Sequence, residues 1–249
     1  MTALRLDIEY DGAAFLGWAE QPGERTVEGV LRDALDVVFR SRPAIRVAGR
    51  TDSGVHASGQ VASIVVPDGL DEAEAEPVRL RRSLAGLLPQ DVAVRNVTVM
   101  PDGFDARGDA TSRVYDYRLL VGPPSPLRRH RTLRHLGRPL DRAALDACAA
   151  MAVGQHDFRA FTPTETNHTF FHRTMIECAW RDDGDEWVLR LEANAFLRHM
   201  VRVLVGTMLE CGRGRRDTES FRALLEGAPR SDAGITAPPH GLTLVAVRY

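Results

Sequence analysis

Apolar and polar residues alternate strictly in the opening LRLDIEYDG, where Leu4, Leu6, Ile8 and Tyr10 are separated by Arg5, Asp7 and Glu9. A period of two belongs to a half-buried strand, and the Asp11-Gly12 pair closes it with a turn. Beyond a loop containing glycine and proline the period changes. Val27, Val30, Leu31, Ala34, Leu35 and Val38 recur at helical spacing with Thr26 placed to cap the first turn, which predicts an amphipathic helix. Short strands are predicted at 44–48 and 61–66, a helix at 77–88 with Pro77 near its start, and a strand at 92–99. The second half repeats the order: a strand at 113–121, a helix at 140–153, strands at 174–181 and 187–193 joined by a DDGD turn, helical stretches at 195–211 and 218–226, and a closing strand at 243–249.

Strand, helix, strand, strand, helix, strand is the split βαβ arrangement of ferredoxin-like and RNA-recognition domains. The expectation is an α+β protein of two βαββαβ halves with a cleft between their antiparallel sheets. Its border falls near 105–110, which gives an N-terminal domain of 1–106 and a C-terminal domain of 107–249. No residue-level repeat links the halves, so this symmetry rests on the pattern of elements alone.

Composition narrows the function classes. A chain of 249 residues that is 44% hydrophobic is globular. It has no apolar run long enough to span a bilayer, so a soluble cytoplasmic protein without a membrane partner is expected. Cys148, Cys178 and Cys211 are odd in number and far apart, which indicates neither a disulfide framework nor a zinc site and predicts reduced core thiols. Every one of the 32 cationic residues is arginine, which excludes a Schiff-base lysine and the lysine of a P-loop. Arginine suits phosphate and stacks on bases, although biased genomic base composition explains the same excess more simply. The net charge of −2 argues against indiscriminate coating of nucleic acid and leaves room for a local basic patch.

Candidate chemistry concentrates in residues 49–59, GRTDSGVHASG, where small residues surround Arg50 and Asp52 between the apolar runs AIRVA and VASIVV. Such a loop between strands is a common place for a catalytic carboxylate, but on this segment alone a plain turn in which aspartate bonds its own backbone is the better reading. Further on, PLRRHRTLRHLGR gathers Arg128, Arg129, Arg131, Arg134 and Arg138, a candidate phosphate grip or a solvated loop. The acidic block DEAEAE at 71–76 should face away from a polyanion. His168 and His172 are four apart but sit in TNHTFFHRT, which reads as a loop entering a strand, so no metal is expected. GRGRRD at 212–217 lacks the third glycine and the preceding strand of a dinucleotide site. Phe158, Phe161, Phe170 and Phe171 could stack on bases, yet the core is the better expectation for most of them.

GRTDSGVHA closely resembles the catalytic loop of the TruA family of tRNA pseudouridine synthases, with Ser53 in place of the usual alanine. The likeness continues in YDGAAFLGW, TVEGVL, RVYDYRL, EANAFLRHMVRVLVG and APPHGLTLVAVRY, spread in the family's order from Asp11 to Tyr249. Departures are local: Ala19 where glutamine is common, Asp116 for a frequently basic residue, Val203 for asparagine and Pro239 for alanine.

The resemblance implies isomerisation of uridine to pseudouridine at positions 38, 39 and 40 of the tRNA anticodon stem-loop, by a homodimer. It implies Asp52 as the essential carboxylate and Arg50 as the residue that helps extract the uridine. Tyr115 would stack on the freed base and Arg202 would pair with Asp52. The basic loop with Arg128, Arg129 and Arg131 would contact RNA. Moving uracil from N1 to C5 attachment needs no nucleotide cofactor, metal or electron carrier. Three routes are open to the carboxylate: trapping C1′, adding to the uracil ring, or removing the C2′ proton. A non-catalytic RNA-binding module would not need Asp52, and a nucleoside hydrolase would need a second carboxylic acid that the loop lacks.

Overall fold

The computed structural model describes residues 2–66, 76–135, 137, 139–166 and 168–249. Most of the acidic block, at 71–75, and Arg138 of the basic loop lie outside the described residues. Along the chain the elements are β1 (Ala3–Tyr10), α1 (Val27–Phe39), β2 (Ile45–Val47), β3 (His56–Val65), α2 (Pro77–Leu87), β4 (Val92–Met100), β5 (Ser112–Leu120), β6 (Leu133–Arg134), α3 (Arg142–Met151), β7 (Gly154–Asp157), β8 (His172–Asp183), β9 (Glu186–Ala193), α4 (Met200–Gly212), α5 (Thr218–Leu224) and β10 (Leu242–Arg248). The mixture of helices and antiparallel strands is the expected α+β class. Among the described residues no helix is long and apolar enough to cross a membrane.

Contacts divide the chain into two compact units, one of Met1–Thr111 with Thr243–Tyr249 and one of Ser112–Leu242. The division falls a few residues after the expected border, and the closing strand joins the first unit instead of the second. In the first unit the strands run β4-β1-β3, all antiparallel, with Leu6 opposite both Ala62 and Val97. The far side of β3 is shared: β2 pairs antiparallel with Ala62 to Ile64, while β10 pairs in parallel with His56 and Ala57. Gly59 makes the second pairing possible, because a Cβ there would stand 2.2 Å from the Val245 carbonyl oxygen. Tyr249 donates its hydroxyl to the Ala106 carbonyl at 2.8 Å, and Thr111 N–H donates to Arg248 O. These bonds are the reason the last residues belong with the first unit.

Helix starts follow their caps. Thr26 accepts from Gly29 N–H at the start of α1, whose Leu31, Leu35 and Phe39 are buried. Glu76, the last residue of the acidic block, caps α2 by accepting from the Val78 and Arg79 amides, ahead of Pro77. Those two amides hold its carboxyl below the usual range.

The second unit is an antiparallel sheet β5-β9-β8-β7, with β6 added in parallel beside β5. Helix α3 packs on α4 and β8, and almost every residue of α4 is buried. All three cysteines are free and buried. The predicted helix at 195–211 begins only at Met200, because the Asn194 side chain competes with it. Its Oδ1 accepts from the amides of Thr174 and Ala195, and His199 then enters the left-handed region at φ 61°.

Asp116 is 3% exposed on β5. Arg190, directly opposite on β9, grips it with two bonds of 2.8 and 2.9 Å, and Arg181 adds a third at 3.1 Å. A buried carboxylate is tolerated when its lone pairs are taken up in this way. Asp116→Ala is expected to destabilise the fold by about 1–3 kcal/mol, discounted because both arginines stay partly solvated. Urea unfolding of the variant against the parent measures this, and an unchanged midpoint would count against a structural role.

Candidate active-site loop and its supports

The turn that carries Asp52 is held from outside by the segment that follows β1. Trp18 N–H donates to Thr51 O at 3.1 Å, and Gly54 N–H and the Ser53 hydroxyl both donate to Phe15 O. Within the turn Val55 N–H returns to Asp52 O, and Gly54 takes φ 76°, a conformation suited to glycine. Two further glycines allow the approach. At Gly17, φ is 93° and a Cβ would lie 2.8 Å from Thr51 O. At Gly12 it would lie 2.0 Å from Val55 O.

Beneath the loop is a buried polar chain. Tyr10 and Thr51 share a hydroxyl bond of 2.7 Å, while Gln60 donates to Tyr10 Oη and, at 2.8 Å, to Gly49 O. Burial pushes the Tyr10 hydroxyl up to about 12 despite these bonds. The Tyr10 and Trp18 rings pack against each other with centroids 6.0 Å apart. On top, Thr51 is buried, Asp52 is half-buried and Arg50 is exposed. The Arg50 side chain makes no hydrogen bond or ion pair among the described residues. The result is a half-buried carboxylate on a braced turn beside an exposed cation.

In the second unit Tyr115 lies on β5, buried, with Phe196 set edge-on against it at 5.0 Å and 83°. Arg202 leaves the first turn of α4, where its Nε donates to Ala237 O at 2.8 Å while Ala237 N–H donates back to Arg202 O. Tyr117 donates to the next carbonyl, Pro238, at 3.0 Å. Burial raises the Tyr117 hydroxyl well above its ordinary value, and the charge of Arg202 opposes that rise.

The expected basic loop is only partly available. Arg128 reaches Glu186 at 3.3 Å, and Arg129 Nε donates to His130 at 2.8 Å; Arg131 is exposed. No cluster of three metal-ligating side chains occurs among the described residues.

Sequence reasoning passed over the supports: Gly17, Trp18, Gln60, Phe196 and Ala237. All but Gln60 sit inside a quoted motif, but their roles become visible only when the partner strand or loop is in place.

Comparison with known proteins joins these observations. A family model described as tRNA pseudouridine synthase matches residues 148–249. A tRNA pseudouridine synthase A of Frankia casuarinae is 45% identical, covering 100% of this chain and 90% of the relative. Its counterpart in Streptomyces griseus is 43% identical over 99% and 87%, and that of Syntrophotalea carbinolica 38% identical over 100% and 97%. The chain belongs to the tRNA pseudouridine synthase A family. The similarity runs the full length of the chain, and the braced Asp52 loop is the part of this family member with the clearest chemical potential.

Gly17→Ala would press a methyl group into the Thr51 carbonyl in a strained backbone conformation, shifting the loop. We expect turnover on tRNA to fall about a hundredfold with smaller change in tRNA affinity; normal turnover would show that the loop tolerates the shift. A second expectation concerns alkaline pH. Tyr10 is neutral below its unfolded pKa near 10, and there the folded and unfolded states bind the same proton. Between pH 10 and 12 the unfolded chain releases it and the folded chain retains it, so stability falls as pH rises, by about 3 kcal/mol in total from this group. Urea unfolding at pH 9 and 11 measures the slope, and Tyr10→Phe should remove this group's share of it.

Proposed function

We propose that this chain isomerises uridine to pseudouridine at positions 38, 39 and 40 of the tRNA anticodon stem-loop, with Asp52 as the essential carboxylate. The observation that carries the reading is the Asp52 loop, a half-buried carboxylate on a turn braced by Phe15 and Trp18, within a chain related along its whole length to tRNA pseudouridine synthases. In the reaction the N1–C1′ bond breaks and a C5–C1′ bond forms. The proton leaves C5, and N1 gains one. Nothing is oxidised, and one ionised carboxylate serves each of the three routes open to it, at C1′, at the uracil ring or at C2′.

A uridine in a paired stem is out of reach, so it must be flipped out. Arg50, exposed and unengaged, takes the vacated position. Tyr115 stacks on the base, held at its edge by Phe196, and Arg202 pairs with Asp52. Arg128, Arg129 and Arg131 contact the RNA backbone, with Arg128 the weakest of the three because Glu186 already engages it. The active form is a homodimer acting in the cytoplasm. Recognition of neighbouring uridines by one site fits reading of RNA shape over base sequence.

The test is tritium release from tRNA carrying 5-tritiated uridine at positions 38 to 40. The parent should release the label, and Asp52→Ala should slow release by at least about a thousandfold while still binding tRNA. Binding without release by the parent would favour a non-catalytic RNA-binding module.

A further inference from the structure

Of the four phenylalanines that flank β7 and β8, three turn inward to differing degrees and one does not. Phe158 and Phe161 are fully buried and Phe171 is half-buried, while Phe170 is 63% exposed. One face of Phe170 is covered by the imidazole of His172, stacked at 5.4 Å and 30°, and His172 is itself exposed. The turn that presents them is locked. Arg173 Nη1 donates to Phe170 O at 3.1 Å and to His172 O at 2.7 Å, and Phe158 N–H donates to Phe171 O at 3.2 Å. All three carbonyls of 170–172 are thereby engaged. Beside them Arg159, exposed, lies 5.1 Å over the Phe171 ring and is steadied by Asp157.

We propose that Phe170 and His172 form a stacking platform for an unpaired nucleobase of the RNA substrate, distinct from the uridine that reacts, with Arg159 beside the adjoining phosphate. This rests on the reading that the chain acts on tRNA and deepens it. A rigid ring with one face already backed by an imidazole offers its other face to a planar partner, which is how single-stranded RNA is held. The patch is one ring wide with a rim of arginine and histidine. That is too small and too polar for a stable protein interface and complementary to a base with its phosphate. It also cannot hold the reacting base if Tyr115 does. Leu191 is opposite both Tyr115 and Cys178, and His172 is six residues farther along β8, roughly 20 Å away at ~3.3 Å per residue.

The test uses the full chain with two probes, a single-stranded oligouridylate of about ten nucleotides and a blunt RNA duplex of equal length, at one fixed salt concentration. Phe170→Ala should weaken the oligouridylate about tenfold and barely affect the duplex, whose bases are already stacked. Phe170→Tyr should restore binding and Phe170→Leu should not. Undiminished oligouridylate binding by Phe170→Ala, or restoration by leucine, would overturn the proposal. With full-length tRNA the loss should appear as a higher KM. The two readings fail separately. A parent that releases no tritium, yet whose oligouridylate binding still depends on Phe170, would sink the synthase reading and leave the platform standing. Normal tritium release together with an indifferent Phe170→Ala would do the reverse.

Discussion

The constraint on which the first unit depends is the passage of Gly17 and Trp18 between the start of α1 and the Asp52 turn. Gly17 O accepts from Val27 N–H and Trp18 O from Glu28 N–H, while Trp18 N–H donates to Thr51 O. One dipeptide therefore satisfies the open amides at the helix start and fixes the Asp52 turn. Only glycine fits at 17, where φ is 93° and the Thr51–Ser53 backbone lies within contact. The Tyr10, Thr51 and Gln60 chain then secures the same turn from below. Because polar groups buried this way are costly to leave unmade, the loop has few alternative positions. A carboxylate that is to meet one atom of a substrate must be held in place, and these bonds are the local means of holding the Asp52 backbone.

Electrostatics divide the arginines into two populations that the net charge conceals. Arg25 with Asp91, Arg118 with Asp183 and Glu186, Arg142 with Asp146 and Asp182, and Arg190 with Asp116 are internal pairs. Arg50, Arg134, Arg198, Arg213 and Arg215 are exposed, and their side chains make no such pair among the described residues. A chain with slightly more acids than bases can thus still offer guanidiniums to phosphate, since a good share of its acids are committed to other arginines. Sequence counting cannot make this separation, because pairs such as Arg25 with Asp91 join residues far apart in the chain.

Most elements were legible because their periodicity is local. The alternation of β1, the apolar stripe of α1 with Thr26 as cap, and the hairpin of β8 and β9 follow from neighbouring residues. The misses share one cause, a distant partner. β6 and β7 are short and exist only as additions to β5 and β8. The first turns of the helix expected from 195 are lost to Asn194, whose amide reaches Thr174. The closing strand reads correctly as a strand, but only its pairing to His56 and Ala57 says which unit it completes. Of the candidate residues, the family motifs named Asp52, Arg50, Tyr115 and Arg202. The residues that hold their backbones, Gly17 and Ala237 among them, carry no chemistry of their own and gave no signal.

Asp116 illustrates how a departure from a family pattern should be weighed. A carboxylate between two tyrosines, where the family often has a basic residue, suggests repulsion of RNA. Its surroundings say otherwise. The side chain is buried, all its bonds run to Arg181 and Arg190, and Arg190 is its cross-strand neighbour in register. In an antiparallel sheet such opposed pairs stabilise each other, so the acid on β5 and the bases on β8 and β9 form one structural unit. The sign of a single position therefore says little about the field that a substrate meets. What matters is whether the opposing strands already answer that charge, and here they do.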